Sequence, residues 1–468
     1  MASKKDLVEA HAFSRRRLVT AFVSGAPGGR EVEPARPGRT IVGGLALSVL
    51  LVAGAAVAGF FSGRTPDDWT QPGLVQSKDT KALYVILDGE ESAADAEAEG
   101  ARVTLHPVIN ITSAKLILDT ATLEPVEVKE EEIGKQVTGS ELGILGAPAV
   151  LPSPGNLVQS GWTACAGPDA AIRLAISGRP GVRPAPATGH LVRVGKRYHV
   201  LAAPEGEGAR SYLVAETDGG RRDRLLRDIG APSTDQAVPV GPDFLALFPV
   251  GGELSTRSFG LKGVGERPSY ARDVPGVRVG DVVSVGETPF LIAQDGPQEL
   301  DEFAAAVYGE DPVKRVDDLG VQESVGPWEE TAHWPTAQLE EADEAPCAQL
   351  DAGPEEAPRV LLAGEPEGEA SPEEAPAGRT SIHVDPGTGA YVEAGGWTAT
   401  DGFSEFLVDS NGVRYELQGP GTAAALGYGD REPARVPDPW VELLRAGTPL
   451  SQDLALCPPG YDGSEPCR

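Results

Sequence analysis

Phe406-Leu-Val-Asp-Ser-Asn411-Gly412 is an aromatic-apolar strand that runs straight into an Asn-Gly turn. Asn and Gly tolerate positive φ, so the pair reads as a tight hairpin or strand-to-helix turn. The chain writes the phrase three more times, as Tyr84-Val-Ile-Leu-Asp88-Gly89, Tyr212-Leu-Val-Ala-Glu-Thr-Asp218-Gly219 and Phe290-Leu-Ile-Ala-Gln-Asp295-Gly296. The residues downstream of each turn are similar as well. Leu225–Ser255 and Ala423–Ser451 each give a short helix ending at Gly, a Val-Pro link, a Pro-started helix and an apolar-Ser end. Leu116–Val137 occupies the same place in the first copy, and in the third only the first helix, Gln298–Gly309, is evident. A unit of strand, turn, strand, helix, link and helix is too small to bury its own face. The copies are therefore expected to pack on a shared centre.

Between the copies lie Leu191–Ala202, Gly276–Val285 and Arg379–Glu393, whose alternation predicts a small β core built from distant segments. Residues 340–376, dense in Glu, Pro, Ala and Gly, read as an exposed acidic loop, and Ser92–Gly100 as a smaller one. The 468 residues suggest about three domain-sized units. A net charge of −30 excludes a phosphate-backbone binder, and no Gly-X-Y period or sustained heptad appears.

Charge is divided unevenly. Residues 1–40 hold eight basic and four acidic side chains, whereas the remainder holds 32 and 66. Between them runs Ile41–Phe61, IVGGLALSVLLVAGAAVAGFF, without a charge. As a helix it would span roughly 30 Å, about one bilayer core. Positive charge stays on the cytoplasmic side, which predicts a single-pass anchor with the N-terminus inside and the acidic bulk outside. A cleaved signal peptide ending at Ala56-Val57-Ala58 fits less well, because a 40-residue n-region is too long. The head, Lys4–Phe22, reads as a basic amphipathic helix. Leu7, Ala10, Ser14, Leu18 and Phe22 fall near one side, and Arg15, Arg16 and Arg17 spread over others.

All four cysteines follow the anchor, in an oxidising compartment on this topology, and three pairings are open to them. Cys457 and Cys467 enclose a turn-rich spacer that lets their sulfurs meet locally, which leaves Cys165 for Cys347. No phosphate loop, nucleophile elbow or His-Glu-x-x-His motif occurs; Gly134-Lys135 and Gly195-Lys196 lack the flanking residues. Asp409-Ser410-Asn411-Gly412 resembles the start of a calcium loop, but Leu407 and Gln418 stand where ligands belong, so a hairpin turn is expected. No catalytic residue, metal site or cofactor is assigned.

The head His11-Ala-Phe-Ser-Arg-Arg-Arg-Leu-Val-Thr-Ala-Phe22 followed by one span resembles the start of EccB, the membrane component of the type VII (ESX) secretion system of actinobacteria. Leu105–Leu116, Gly276–Asp281, Val384–Ala390 and Ala425–Gly429 add to the resemblance, which covers nearly the whole chain. Departures are the acidic insert after Gly89, the acidic loop before Arg379 and the Cys457/Cys467 tail. The resemblance implies a β-rich core with four peripheral repeats and a core disulfide, here Cys165–Cys347. It also implies self-association and assembly with the EccC motor ATPase, EccD, EccE and the mycosin protease. Family members are often described as ATPases, for which this sequence offers no phosphate-binding loop.

The expected fold is thus mixed α/β and β-rich: one N-terminal transmembrane helix, then an extracytoplasmic β core with four small α/β repeats around it. The division is head 1–40, span 41–61, linker 62–80, repeat 1 at 81–150 and core segment 1 at 151–204. It continues with repeat 2 at 205–256, repeat 3 with core strands at 257–330, and core segment 2 with the acidic loop at 331–378. Core strands with repeat 4 fill 379–455, and the Cys tail 456–468. The expected role is a scaffold of the secretion complex, with an anchored nucleotide hydrolase and a cell-wall-binding module as the alternatives. In the head, Phe13, Arg15, Arg16, Arg17, Leu18 and Phe22 are the expected contact residues.

Overall fold

The computed structural model describes residues 4–24, 44, 47–52, 68–88, 102–216, 219–268, 270, 276–317, 319, 331, 333–342, 344–364, 377–461 and 467. The chain forms two compact units, Met1–Asp67 and Asp68–Arg468. In the first, Lys4–Ser24 is one exposed α-helix. Of the apolar run, Gly44 and residues 47–52 are described, helical and exposed; both expected boundaries, Ile41 and Phe61, lie outside the described residues. Among the described residues no helix is long and apolar enough to cross a membrane.

The second unit is strand-rich, with five sheets among the described residues. One plan recurs, seen in full at the fourth sheet. Ala390–Gly395, Ser404–Val408 and Val413–Leu417 form an antiparallel meander. The helix Thr422–Leu426 then leads to Ala434–Pro437, parallel to the first strand, and Asp438–Glu442 leads to Arg445–Ala446, parallel to the third. The first and second sheets have the same five-strand order, and the third has its first four strands in that order. Hairpin chemistry is local: Gly195-Lys196 and Gly286-Glu287 join the first two strands of the second and third sheets, each with Gly at positive φ in the leading position.

The four aromatic-apolar phrases occupy two different places in this plan. Tyr84–Ile86, Phe290–Ile292 and Phe406–Val408 lie on the second strand of their meanders, whereas Tyr212–Val214 lies on the third. The next described element after this strand is therefore the helix Gly219–Asp228 and not another strand. The similarity of Leu225–Ser255 to Ala423–Ser451 is real because both begin at the first helix of the unit.

The central sheet runs Thr380–Val384, Ile172–Ile176, Thr163–Ala166, Cys347–Asp351, Arg359–Gly364, Arg183–Pro184. Its composition corrects two expectations. Leu191–Ala202 belongs to the second sheet rather than the core, and the strand that ends Gly276–Val285 belongs to the third. Residues 340–376 are not one exposed loop: Leu350, Val360, Leu362 and Ala363 are fully or almost fully buried. The run's Glu and Pro content masks two short apolar strands, while its most acidic stretch, 365–376, lies outside the described residues, as does Ser92–Gly100.

Packing departs from a single shared centre. The largest buried cluster joins one face of the central sheet (Trp162, Leu174, Leu350, Leu362) to the second sheet through Leu201, Phe244 and Phe248, and to the fourth through Val392 and Trp440. Trp440 Nε1 donates to the Leu247 carbonyl at 3.3 Å, tying those two sheets together. The third sheet clusters instead with the second, where Trp334 meets Phe259 and Phe303 edge-on at 5.6 and 6.1 Å. The first sheet clusters with the fourth, Leu116 and Ile144 packing with Leu426, Tyr428 and Leu450.

Gly230 ends the helix Gly219–Asp228 at φ +77°, and a Cβ there would run into the Leu339 carbonyl. The Leu339 amide in turn donates to the Ile229 carbonyl at 2.9 Å, so neither backbone can withdraw. Gly230→Ala is expected to destabilise the fold by at least about 2 kcal/mol. Urea unfolding monitored by tryptophan fluorescence measures this; an unchanged midpoint would show that the close approach costs nothing.

Candidate functional site: the clamped core and the basic helix

Cys165 and Cys347 stand directly opposite each other on adjacent antiparallel strands and are disulfide-bonded, with Cα atoms 4.0 Å apart. The neighbouring bonds, from the Ala166 amide to the Pro346 carbonyl and from the Leu350 amide to the Trp162 carbonyl, place the cysteines at a non-hydrogen-bonded pair. There side chains approach most closely. The bond lies on the face of the central sheet turned from the main core, where both cysteines cluster with Ala363 and Val182. It closes a separation of 182 residues.

Cys457 and Cys467, ten residues apart, form the second bond. Cys457 is buried, and its carbonyl accepts from the Gly143 amide at 3.0 Å. Gln452 Nε2 donates to Asp119 Oδ1 at 2.6 Å, so the segment that leads into Cys457 joins the first and fourth sheets. In the chain-entropy picture the long bridge is worth about 5 kcal/mol and the short one about 3 kcal/mol. The Cys165→Ser/Cys347→Ser pair should lower Tm more than Cys457→Ser/Cys467→Ser. Equal shifts, or the reverse order, would show that loop length does not govern the effect.

The residues expected to meet partners sit on the first helix. Leu18 and Phe22 are 71% and 91% exposed and Phe13 is 56% exposed, with Arg15, Arg16 and Arg17 exposed between them. The helix Lys4–Ser24 brings these side chains together.

The two Gly-Lys dipeptides serve as turns. Gly134 follows the one-turn helix Glu130–Ile133, and Lys135 bonds Glu132 at 2.8 Å, an exposed contact that raises the lysine pKa. Gly195 accepts from Arg193 Nη1 at 2.9 Å at a hairpin tip. Asp409 folds back on its own loop, accepting from the Asn411 and Val413 amides at 2.9 Å each, as a hairpin turn requires. Among the described residues no group of three His, Cys, Asp or Glu could hold a metal ion. A cleft of about 370 Å³ opens beside Trp397, Phe403, Pro358 and Arg435, but Trp397 Nε1 is already engaged by the Ala246 carbonyl.

The histidines are dispersed. His106 Nδ1 meets the Ser140 carbonyl at 3.0 Å, His333 lies 3.3 Å from Glu207, and His383 lies 3.6 Å from Asp385. His190 is buried in the second sheet. Burial pushes its pKa down to about 4, and a bond to the Glu344 backbone only partly opposes this. An unfolded histidine titrates near 6.5, so between the two values the unfolded chain binds the extra proton. The stability contributed by neutral His190 is complete above the unfolded value and is lost as pH falls toward 4. About 3 kcal/mol should disappear over that window, and His190→Leu should remove that part of the slope. Denaturation midpoints at pH 7 and pH 4.5 test it; identical slopes in both proteins would contradict it.

One cluster has no counterpart among the expected site residues. Arg221, Arg222, Arg224 and Arg227 stand on a single ten-residue helix in a strongly acidic unit. Four arginines in seven residues was the available signal.

A family model described as "Type VII secretion system ESX-1, transport TM domain B" matches residues 1–459. The chain belongs to this family, EccB, a membrane component of type VII secretion. It is 26% identical to "ESX-2 secretion system ATPase EccB2" of Mycobacterium tuberculosis (strain ATCC 25618 / H37Rv), over 97% of this chain and 94% of the relative. To "ESX-1 secretion system ATPase EccB1" of the same strain it is 28% identical, over 89% and 87%. Among solved structures, a chain of "an intact ESX-5 inner membrane complex" matches with a TM-score of 0.62 at 21% identity, over 99% of this chain and 97% of that one. The "EccB3 dimer from the ESX-3 core complex" matches with a TM-score of 0.60 at 22% identity, over 82% and 99%. These two likenesses establish a common fold.

Proposed function

We propose that this chain is a structural subunit of the type VII (ESX) membrane complex. Residues 41–61 anchor it with the N-terminus in the cytosol, and the five sheets lie outside the cytoplasmic membrane. The observation that carries the reading is the match of one family across residues 1–459, head and sheets together. The charge step across 41–61 supports the orientation. Four repeats, one per peripheral sheet, two of them packed on the clamped central sheet and two at one remove, would make a rigid outer platform. EccC, EccD, EccE and the mycosin protease are the proposed partners, with copies of the chain associating among themselves.

The relatives' names include "ATPase", which favours a second reading, an anchored nucleotide hydrolase. Against it, both Gly-Lys dipeptides are short turns without a phosphate cradle, one of them with its lysine engaged by glutamate. Purification from membranes through a C-terminal tag should bring down an FtsK-like ATPase and a multi-span channel protein. The purified full-length chain should show no metal-dependent ATP turnover above a denatured control. Turnover abolished by a point change would establish the hydrolase instead.

The head is the proposed cytosolic contact, through Phe13, Arg15, Arg16, Arg17, Leu18 and Phe22. Replacing the three arginines by Gln leaves residues 1–40 with a net charge of +1, enough to keep the orientation signal while removing the basic cluster. Such a chain should insert correctly yet co-purify with at least tenfold less motor. Wild-type assembly and secretion would reduce the cluster to a topology signal.

A further inference from the structure

We infer that the outer edge of the strand Thr380–Val384 is a docking edge for a second copy of this chain, paired antiparallel about a two-fold axis at Ile382. This rests on the reading that copies associate within the membrane complex, and it names the surface. The strand is the outermost of the central sheet, beside Ile172–Ile176. The Ile172 amide donates to the Arg379 carbonyl and the Asp385 amide to the Ile176 carbonyl, each at 3.1 Å. In a parallel ladder this phase turns the backbone groups of Ser381 and His383 inward and those of Thr380, Ile382 and Val384 outward. No described residue hydrogen-bonds to these outward groups.

An edge of unpaired N–H and C=O groups is a template for another strand, and proteins blunt such edges with charge, proline or brevity. Among the described residues, every other outer strand of the five sheets is two residues long or carries such a residue, as Glu127, Glu253, Pro297, Lys314 and Arg435 show. Thr380–Val384 has five residues and no Lys, Arg, Asp, Glu or Pro. Arg379, Thr380 and His383 are exposed, whereas Ile382 and Val384 turn their side chains to the main cluster. What the strand offers is thus a backbone edge and not an apolar face. It is held from the fourth sheet, where a Cβ on Gly412 would run into Ile382 Cγ2.

Charge selects the occupant. With the axis at Ile382, Thr380 faces Val384 of the second copy and Ser381 faces its His383. The outward groups of Thr380, Ile382 and Val384 then exchange hydrogen bonds in full, and Ser381 with His383 makes a non-hydrogen-bonded pair. One step beyond, Arg379 of each copy stands opposite Asp385 of the other. The Arg379 side chain makes no ion pair or hydrogen bond with a described residue. Asp385 Oδ2 accepts from Ser177 Oγ at 2.7 Å, while Oδ1 meets only His383 Nε2, 3.6 Å away, among the described residues. Pro386, which has no N–H, ends the ladder just past that pair. In a two-fold contact residue i meets j and j meets i, so one edge must carry both signs at matched positions. Arg379 and Asp385 meet that demand in a chain whose net charge of −30 otherwise drives copies apart. The strand is only about 17 Å long, too short for a stable free dimer, so the contact belongs between copies already held in one membrane.

The test is disulfide trapping of full-length chains in isolated membranes. Two differently tagged forms, Ser381→Cys and His383→Cys, are co-expressed; the native cysteines are all bonded, so the new thiols are the reporters. A non-hydrogen-bonded pair brings two sulfurs within bonding reach, whereas like positions, diagonal across the axis, lie beyond it. Oxidation should therefore give the mixed dimer in at least about tenfold excess over either form alone. Thr380→Pro, which removes an outward N–H, and Arg379→Glu should each cut the yield at least about fivefold. Adding Asp385→Arg to Arg379→Glu should restore it. Circular dichroism and Tm report whether the variants stay folded; where a blocking variant unfolds, the ratio of mixed to single-form dimer decides. No mixed dimer, an equal yield from one form alone, or a yield unmoved in folded Thr380→Pro or Arg379→Glu chains would overturn the proposal. So would a cross-link from Ser381→Cys to a different protein, which would assign the edge to another subunit. Co-purification of the motor and channel proteins tests the subunit reading separately, so either result can fail while the other holds.

Discussion

The pairing of Thr163–Ala166 with Cys347–Asp351 is the constraint on which the second unit rests. It joins two hairpins that lie far apart in the chain, and its register decides which side chains face the main cluster. Ala164, Ala166, Leu174, Ala348 and Leu350 face it, while Cys165 and Cys347 face away. A slip of one residue would turn the apolar set to the opposite face and separate the sulfurs. The disulfide therefore records the register as much as it reinforces it. The second and fourth sheets depend on that face directly; the third and first depend on it at one remove.

Much of this is legible from residues. Asp295-Gly296 and Asn411-Gly412 each join the second and third strands of a meander, because such turns have few alternative conformations. The spacer between Cys457 and Cys467 likewise leaves Cys347 as the partner of Cys165. The central sheet is less legible. Its strands are short, and Cys-Ala-Gln-Leu-Asp and Arg-Val-Leu-Leu-Ala-Gly stand among Glu and Pro residues whose composition dominates any window. Leu191–Ala202 has strong alternation, but alternation reports a half-buried strand and not the sheet it joins. Pairing across more than a hundred residues is a tertiary fact that no local pattern carries. Tyr212 reads one strand too early for a related reason: its phrase matches in composition, while the meander position depends on the preceding hairpin.

The charged clusters differ in the same way. The basic head stands out because it is contiguous and set against an uncharged run. The stripe of Arg221, Arg224 and Arg227 is dispersed by its helical spacing and diluted by Asp223 and Asp228, so a count of charge along the sequence passes over it. Only the helix gathers it. The Gly-Lys pairs show the converse: residues that suggest chemistry in a string prove to be hairpin and helix-end geometry.

The parallel pairing of Thr380–Val384 with Ile172–Ile176 bears on how the chain is made. The central sheet cannot be completed until residue 384 has emerged, and the helix Ile111–Ile117 finds part of its cover only from the segment ending at Ala455. Native partners are thus separated by most of the polypeptide, a pattern of high contact order that slows folding. A nascent chain extending from its N-terminal end would keep Leu116, Ile144 and Leu174 without their final neighbours almost until synthesis ends. The same delay leaves apolar surface open to aggregation meanwhile, so the strand connections themselves set how long the unfinished chain stays exposed.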